Sequence, residues 1–481
     1  MSIVRRIAAN DIVQMRRSRV ALVSLLILLA LSIVAALTSI AHRDASDELR
    51  ARFQAQADVE FEGQPARHPH RMVHYGHFVF RPLPPLAAFD PGVDSFTGNT
   101  IFLEGHRQNS ANFGDVRQSS LLARFGQLTP AFVLQVLAPL VLVFIGFGAI
   151  AREREQGTLR VLAAHGVSAR AMLGGKAAAL GVVAAIMLAP AALAMAWLVA
   201  AGGAPILPAL ALLAAYAAYL ALWVLAVVTV SSLFSNARSS LVALLGLWTL
   251  TTILLPRIAP DIALAANPLP TRLETDIAIQ RDVRATGDSH NPDDPYYADF
   301  RAGVLEQYGV DDVADLPVNY SGLQAMVSEE LTSSMFDRYA ERQFAQQRQQ
   351  GNTALAFGLL SPAIAMRDLS MAAAGTDLEG HRRFLTQAEA YRFGIVQQLN
   401  QLQAEALTYA DDRSRNTDPE AAQRVRIDPS HWHDVPEFSY RSATTAEKLT
   451  AAAPGLLLVL AWLLAMVAAF RIAARRLGRA L

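Results

Sequence analysis

The sequence predicts an α-helical integral membrane protein with six spans. Three observations carry that expectation: the composition, the count of long apolar runs, and the placement of arginine and lysine between them. Of 481 residues, 53% are hydrophobic and only 17% charged, a balance suited to lipid rather than water. A membrane-crossing helix needs roughly 20 mostly apolar residues. Six stretches meet that need: residues 20–40, 129–151, 177–200, 206–234, 240–257 and 450–470.

The first run is read as a span and not a cleaved leader. It is too long for a leader's apolar region, and nineteen residues with several arginines precede it. The third run holds Pro190, which a lipid-embedded helix tolerates with a kink. The fourth is long enough to tilt. The fifth is short, apolar over Leu241–Pro256, and is expected to end near the Pro256-Arg257 step.

Short-loop cations set the orientation. The N-terminal segment 1–19 carries Arg5, Arg6, Arg16, Arg17 and Arg19. The segment 152–176 carries Arg152, Arg154, Arg160, Arg170 and Lys176. Arg238 lies between the fourth and fifth runs, and the tail 471–481 holds Arg471, Arg475, Arg476 and Arg479. Six spans put all of these on one side, the cytoplasmic one, with both termini; the uncharged loop Ala201–Pro205 falls opposite. Two long segments, 41–128 and 258–449, are then extracytoplasmic.

The first long segment reads as mixed α/β. His42–Gln56 favours helix, while Val59-Glu60-Phe61, His77–Phe80 and Thr100–Glu104 alternate like strands, with Pro82, Pro84, Pro85, Pro91 and Gly92 forcing turns. The second reads as mainly helical. Phe384, Ala388, Tyr391, Ile395, Leu399, Leu402 and Ala406 make one apolar stripe, and Leu323, Val327, Leu331, Met335 and Tyr339 a weaker one. Residues 287–294 and 411–419 read as polar loops.

Several function classes are disfavoured. A formal net charge of zero offers nothing to nucleic acid. The absence of cysteine removes disulfides, thiolate metal sites and a thiol nucleophile. None of the six apolar cores contains Asp, Glu, Lys, Arg or His, which argues against proton coupling at depth. Gly174-Gly175-Lys176-Ala177 ends like a phosphate loop, but Arg170 replaces its first glycine and Ala177 its Ser or Thr. No nucleophile–base pair stands out, so the chain reads as a non-catalytic subunit without a cofactor of its own. If the chain moves something against a gradient, ATP must be bound and hydrolysed by a partner.

The most informative stretch follows the second run: Arg152-Glu153-Arg154-Glu155-Gln156-Gly157-Thr158-Leu159-Arg160, then Gly166-Val167-Ser168 and Arg170. Its Glu153-x-Glu155-x-Gly157-Thr158 pattern resembles the coupling helix of type-2 ABC transporter permeases, in both spacing and position after the second span. The resemblance implies that Arg152, Glu153, Arg154, Glu155, Gly157 and Thr158 dock into a cleft of a cytoplasmic ABC ATPase. Glu153 and Glu155 would pair with basic groups there, and Gly157 would let the chain turn back. It also implies a second permease, identical or a sister, beside this one in the lipid.

His68-Pro69-His70, His74-Tyr75-Gly76-His77, Phe80-Arg81-Pro82, Phe89-Asp90-Pro91-Gly92, Leu103-Glu104-Gly105-His106, Asn267-Pro268-Leu269-Pro270 and Leu360-Ser361-Pro362 look like one permease subfamily. Its members carry two large outer loops and are grouped with components described as involved in multi-copper enzyme maturation. Four histidines fall between His68 and His77, and His70, His74 and His77 could converge on copper or zinc if the segment folds back. The competing reading makes them turn, strand and hydrogen-bonding residues. The leading expectation is an ATP-driven permease. The alternatives are ATP-driven mechanical action on a periplasmic partner without transport, and a metal-handling maturation factor.

Overall fold

The computed structural model describes residues 2–112, 126–289, 291 and 293–480. Residues 113–125 of the first long segment, and His290 and Pro292 of the polar loop 287–294, lie outside the described residues. Helices make up 77% of the chain, and six of them are long and apolar enough to cross a membrane. Each overlaps one of the six runs anticipated from the sequence.

Helix α1 (Ile3–Arg17) is amphipathic and lies against the third of these long helices. It ends at Ser18, whose extended backbone breaks the helix and whose Oγ accepts from the Ala21 N–H at 3.3 Å. That cap starts α2 (Arg19–Glu62), 44 residues long. At 1.5 Å per residue it spans roughly 66 Å, about twice the hydrocarbon thickness of a bilayer. Its polar second half therefore stands clear of the bundle. The strand expected at Val59-Glu60-Phe61 is corrected here to the last turns of α2. No breaker occurs between Ala41 and Gly63, extending a helix is easy once it is nucleated, and Phe61 gains burial beside Met72, Val73, Leu399 and Trp432.

Beyond α2 come α3 (Pro69–Tyr75) and a two-stranded antiparallel hairpin, β1 (His77–Phe80) with β2 (Thr100–Leu103). His77 stands opposite Leu103 and Phe80 opposite Thr100. The Gln54 side chain of α2 clamps the hairpin edge, accepting from Phe80 N–H at 3.1 Å and donating to Phe78 O at 3.5 Å.

The second long helix, α4 (Pro130–Glu155), breaks at a turn over 147–150 and resumes for Ala151–Glu155. After α5 (Thr158–Ala164) come α6 (Ala169–Ala200), α7 (Ile206–Leu233) and α8 (Ala237–Ala266). The last does not end at Pro256 as the sequence suggests. A π turn at Thr249–Leu254 widens the helix just before Pro256, and the helix then runs through Pro260 to Ala266.

The appended domain is built from α9 (Arg272–Thr286), α10 (Pro295–Tyr308), α11 (Tyr320–Ala356), α12 (Pro362–Ala374), α13 (Leu378–Ala406) and three short helices, Tyr409–Ser414, Pro419–Arg424 and Ser430–His433. The sixth long helix, α14 (Thr445–Ala480), closes the chain. The α13 stripe packs as anticipated over most of its length. Phe384 and Ala388 meet Val79, Ile101 and Leu103 of the hairpin, and Ile395 and Leu399 meet Phe61 and Trp432, while Ala406 is exposed. The α11 stripe is only half-buried apart from Met335, because the deepest positions on that helix include Glu329 and Ser333.

One feature was not anticipated. The end of α11 and all of α12 form a helical hairpin that dips into the bundle. Trp462, roughly 26 Å along α14 from Thr445, donates to Gly358 O at 2.8 Å, and Ser361 Oγ donates to Thr251 O at 2.5 Å. Helix α12 then climbs back along α14, where Gly455 permits the approach. A Cβ there would lie 2.7 Å from Ala365 O and 2.8 Å from Leu369 N. Asp90 reaches the same region from the first long segment. Gln135 donates to Tyr216 OH (2.7 Å), Tyr216 donates to Ser370 Oγ (2.9 Å) and Ser370 donates to Asp90 Oδ2 (2.5 Å). Burial pushes the Asp90 carboxyl above the ordinary carboxylate value. The apolar cores carry no ionisable side chain of their own, yet one is wedged against them from outside.

Two predictions follow from the packing. Gly455→Ala should destabilise the protein by about 1–3 kcal/mol through overpacking, whereas Gly394→Ala, with open space around its Cβ position, should be neutral or slightly stabilising. Thermal unfolding in detergent compares the two. Burial, with Arg81 nearby, holds His381 neutral down to about 4. The stability it contributes is therefore complete above about pH 6.5 and declines as pH falls towards 4. Between pH 7 and pH 5 wild type should lose about 2 kcal/mol more than His381→Gln, read as the difference between their melting shifts.

Candidate functional site

The stretch singled out in the sequence forms a compact knob at one end of the bundle. Ser231 Oγ accepts from the Ile150 and Ala151 N–H groups at 3.0 and 3.1 Å and donates to Phe147 O at 2.8 Å. Ser240 Oγ donates to the same carbonyl at 2.7 Å. These bonds satisfy the backbone where α4 breaks. Gly157 adopts φ 78°, a left-handed turn that a side chain would strain, and α5 starts directly after it. Ser168 Oγ caps α6 by accepting from Ala171 N–H at 3.2 Å.

Each charged residue of the knob has a distinct position. Arg154 donates to Phe234 O at 2.7 Å and Ser232 O at 2.9 Å, closing the C-terminal end of α7. Glu155 accepts from Ala237 N–H at 3.1 Å, at the N-terminal end of α8. Arg152 lies over the Phe147 ring, 5.6 Å from its centroid. Glu153 accepts from Lys176 Nζ at 3.0 Å, and the Thr158 hydroxyl donates to its other oxygen. Lys176 also donates to Asp11 Oδ1 of α1 at 2.7 Å. Lys176 and Asp11 are both buried. The Asp11–Lys176–Glu153 triad ties α1, α6 and the knob together, and sequence reasoning missed it because nothing local marks Lys176 as buried. Glu153, read from the sequence as a contact for a partner, is engaged within the chain. Among the solvent-facing residues of the knob are Arg152, Glu155, Gln156, Thr158, Arg160, Val161 and His165.

The histidines divide into two groups. His77 is buried beside Phe61, with Nε2 3.1 Å from Asp58 Oδ1, and takes no part in a cluster with His70 and His74. Those two face each other one turn apart on α3, their Nε2 atoms 3.2 Å apart. The third member is His106, its ring 5.7 and 5.4 Å from theirs. The three rings can bring their ligand nitrogens within 4.8 Å of one another. The strand register could have revealed this. His77 stands opposite Leu103 at the open end of the hairpin, and His74 and His106 each lie three residues beyond that pair.

Residues 272–441 match a family model described as a domain of unknown function, DUF3526. The match runs from the start of α9 to just before α14, and so covers almost all of the second long segment. No curated protein matches the chain.

Removing Lys176 should leave two carboxylates facing each other with no cation. Lys176→Met is expected to lower stability by about 3 kcal/mol, against less than about 0.5 kcal/mol for Arg152→Ala at the exposed rim. The loss should shrink when Asp11→Asn is added, a non-additivity that thermal melts of the single and double variants would show.

Proposed function

We propose that this chain is the membrane-spanning permease subunit of an ABC transporter, in a bacterial inner membrane. A separate cytoplasmic ATPase would bind and hydrolyse ATP. The termini and the knob would face the cytoplasm and the appended domain the periplasm, as the short-loop cations suggest. A second permease, identical or a sister, would complete the pathway.

The observation that carries this reading is how the knob is fastened. Arg154 grips the end of α7, Glu155 the start of α8, Glu153 reaches α6 through Lys176, and Lys176 reaches α1 through Asp11. A push on the exposed tip is therefore shared by four helices at once instead of being absorbed by a flexible loop. An ordinary cytoplasmic loop needs no such fastening. The tip presents Val161, 56% exposed, between Arg160 and the polar residues of the turn, an apolar contact rimmed by charge that suits a protein cleft.

The test follows from that division of labour. Arg160→Glu with Val161→Asp alters only exposed side chains, so the protein should fold normally and lose at least about tenfold of its affinity for the ATPase. Co-purification and ATPase stimulation in proteoliposomes read both effects. Unchanged association would overturn the assignment of the knob.

A second reading is favoured by α2, one unbroken helix from the bundle into the appended domain. Such a rod could deliver ATP-driven motion to a periplasmic partner with nothing crossing the bilayer. ATP-dependent substrate movement in sealed vesicles would favour transport; ATP-dependent change in the appended domain without flux would favour mechanical action.

A further inference from the structure

We propose that His70, His74 and His106 bind a divalent transition-metal ion of the zinc and copper class. The inference stands independently of the transport reading.

Helix α3 places His70 and His74 at i and i+4, on one face. Their 3.2 Å Nε2 separation fits the edge of a tetrahedron whose ligands sit about 2.0–2.1 Å from a central ion, an edge of about 3.3 Å. The helix is itself held in place. His68 caps it, its Nδ1 accepting from His70 N–H at 3.1 Å, which leaves Nε2–H to donate to the buried Asp412 at 2.9 Å. Asn319 and Gln403 donate to the other oxygen of Asp412 at 2.9 and 2.8 Å.

His106 arrives from the turn that follows β2. Among the described residues it is the non-glycine residue with positive φ, 61°, a conformation that side chains adopt at some energetic cost and that the surroundings must enforce. Glu329 enforces it: its Oε2 lies 3.4 Å from the His106 backbone N and 3.3 Å from Nδ1. A proton on Nδ1 shared with that carboxylate leaves the Nε2 lone pair free to face His70 and His74. This is the carboxylate–histidine arrangement that orients metal ligands. Glu329 is fully buried, and Arg392 stands 2.6 Å from it while also pairing with Glu389.

Three imidazoles without thiolate or thioether form a donor set for zinc or copper(II) rather than for calcium or magnesium. His74 is exposed, so the fourth coordination position would open to solvent, as in exchangeable or reactive sites and unlike closed structural ones. A bound ion would join α3 to the turn after β2 and, through Glu329 and Arg392, to α11 and α13.

The full chain in detergent, with any affinity tag removed, is stripped with a chelator and titrated with Zn²⁺ alone, then Cu²⁺ alone. Co²⁺ serves as a visible-absorption probe of the ligand field. One ion per chain is expected. His74→Ala and His106→Ala should each weaken binding at least tenfold, and Glu329→Gln should weaken it about 10–100-fold. His165→Ala, on the exposed knob, should change nothing. Zn²⁺ should also raise the melting temperature of wild type but not of His74→Ala, a variant whose exposed side chain is dispensable for folding. No saturable binding below about 100 µM, or undiminished binding in His74→Ala and His106→Ala, would overturn the site.

Discussion

Everything at the knob end of the bundle depends on the Ser231 hydroxyl. A helix that breaks inside an apolar bundle exposes N–H and C=O groups with no water to receive them, and each unsatisfied group costs several kcal/mol in lipid. Ser231 takes two orphaned N–H groups and returns its own proton to Phe147 O, with Ser240 adding a second donor to that carbonyl. With the break satisfied, α4 can stop, turn and present a short charged helix at a fixed angle. The arginine and glutamate contacts to neighbouring helices then lock that angle. Satisfying the backbone comes first, and the fastening of the knob to its neighbouring helices is built on it.

The appended domain solves a related problem with buried charge instead of hydroxyls. Its helices bury Glu329, Glu389, Arg392 and Asp412 as well as apolar stripes. An ion left alone in such surroundings would be strongly destabilising, but charges paired with one another hold the elements in a defined packing. Asp412 joins α3, α11 and α13 through His68, Asn319 and Gln403. Glu329 joins the turn after β2 to α11 and α13. Both hubs end at the same place, the cluster of His70, His74 and His106. Such effort to aim three rings at one another is difficult to explain as packing alone.

How much of this was legible in the sequence depends on the length scale of each signal. The six apolar helices were legible because a run of twenty apolar residues has few other destinations. The α13 stripe was legible because its spacing persists over many turns. The dip of α12 was not. Arg367 and Asp368 sit in the middle of an otherwise apolar stretch and hide it from any averaged hydropathy, while only its flanks, Ala363, Ala365, Met366, Leu369 and Ala372–Ala374, pack inward. The strand misread at Val59–Phe61 failed differently, since three alternating residues cannot outweigh forty preceding residues of helix. Within the candidate sites, the spacing of Glu153, Glu155 and Gly157 was visible, but the internal pairing of Glu153 was not. Its partner Lys176, and Asp11, which shares that lysine, are 23 and 142 residues away in sequence. His106 was within reach, because His74 and His106 each lie three residues beyond the paired ends His77 and Leu103, at the open end of the hairpin.

The two ends of the molecule are linked by α2, and its course decides how motion could pass between them. A rigid helix transmits displacement along its length, provided that both of its ends are anchored to the parts that move. At the membrane end α2 packs on α6 and on the apolar part of α4, the helices joined by the knob. At the far end Gln54 holds the edge of the hairpin, Asp58 holds His77, and Phe61 is buried among Met72, Val73 and Trp432. The hairpin in turn carries the turn that presents His106. A tilt of α2 about its membrane end would therefore be felt at the junction between the hairpin and α11. There the turn after β2 meets α11 through the His106–Glu329 pair, while the hairpin itself rests on α13 through the apolar contacts of Phe384 and Ala388. In the proposed reading, a stroke begun at the knob would act first on the polar contact with α11, because the apolar contact with α13 holds the hairpin's other face.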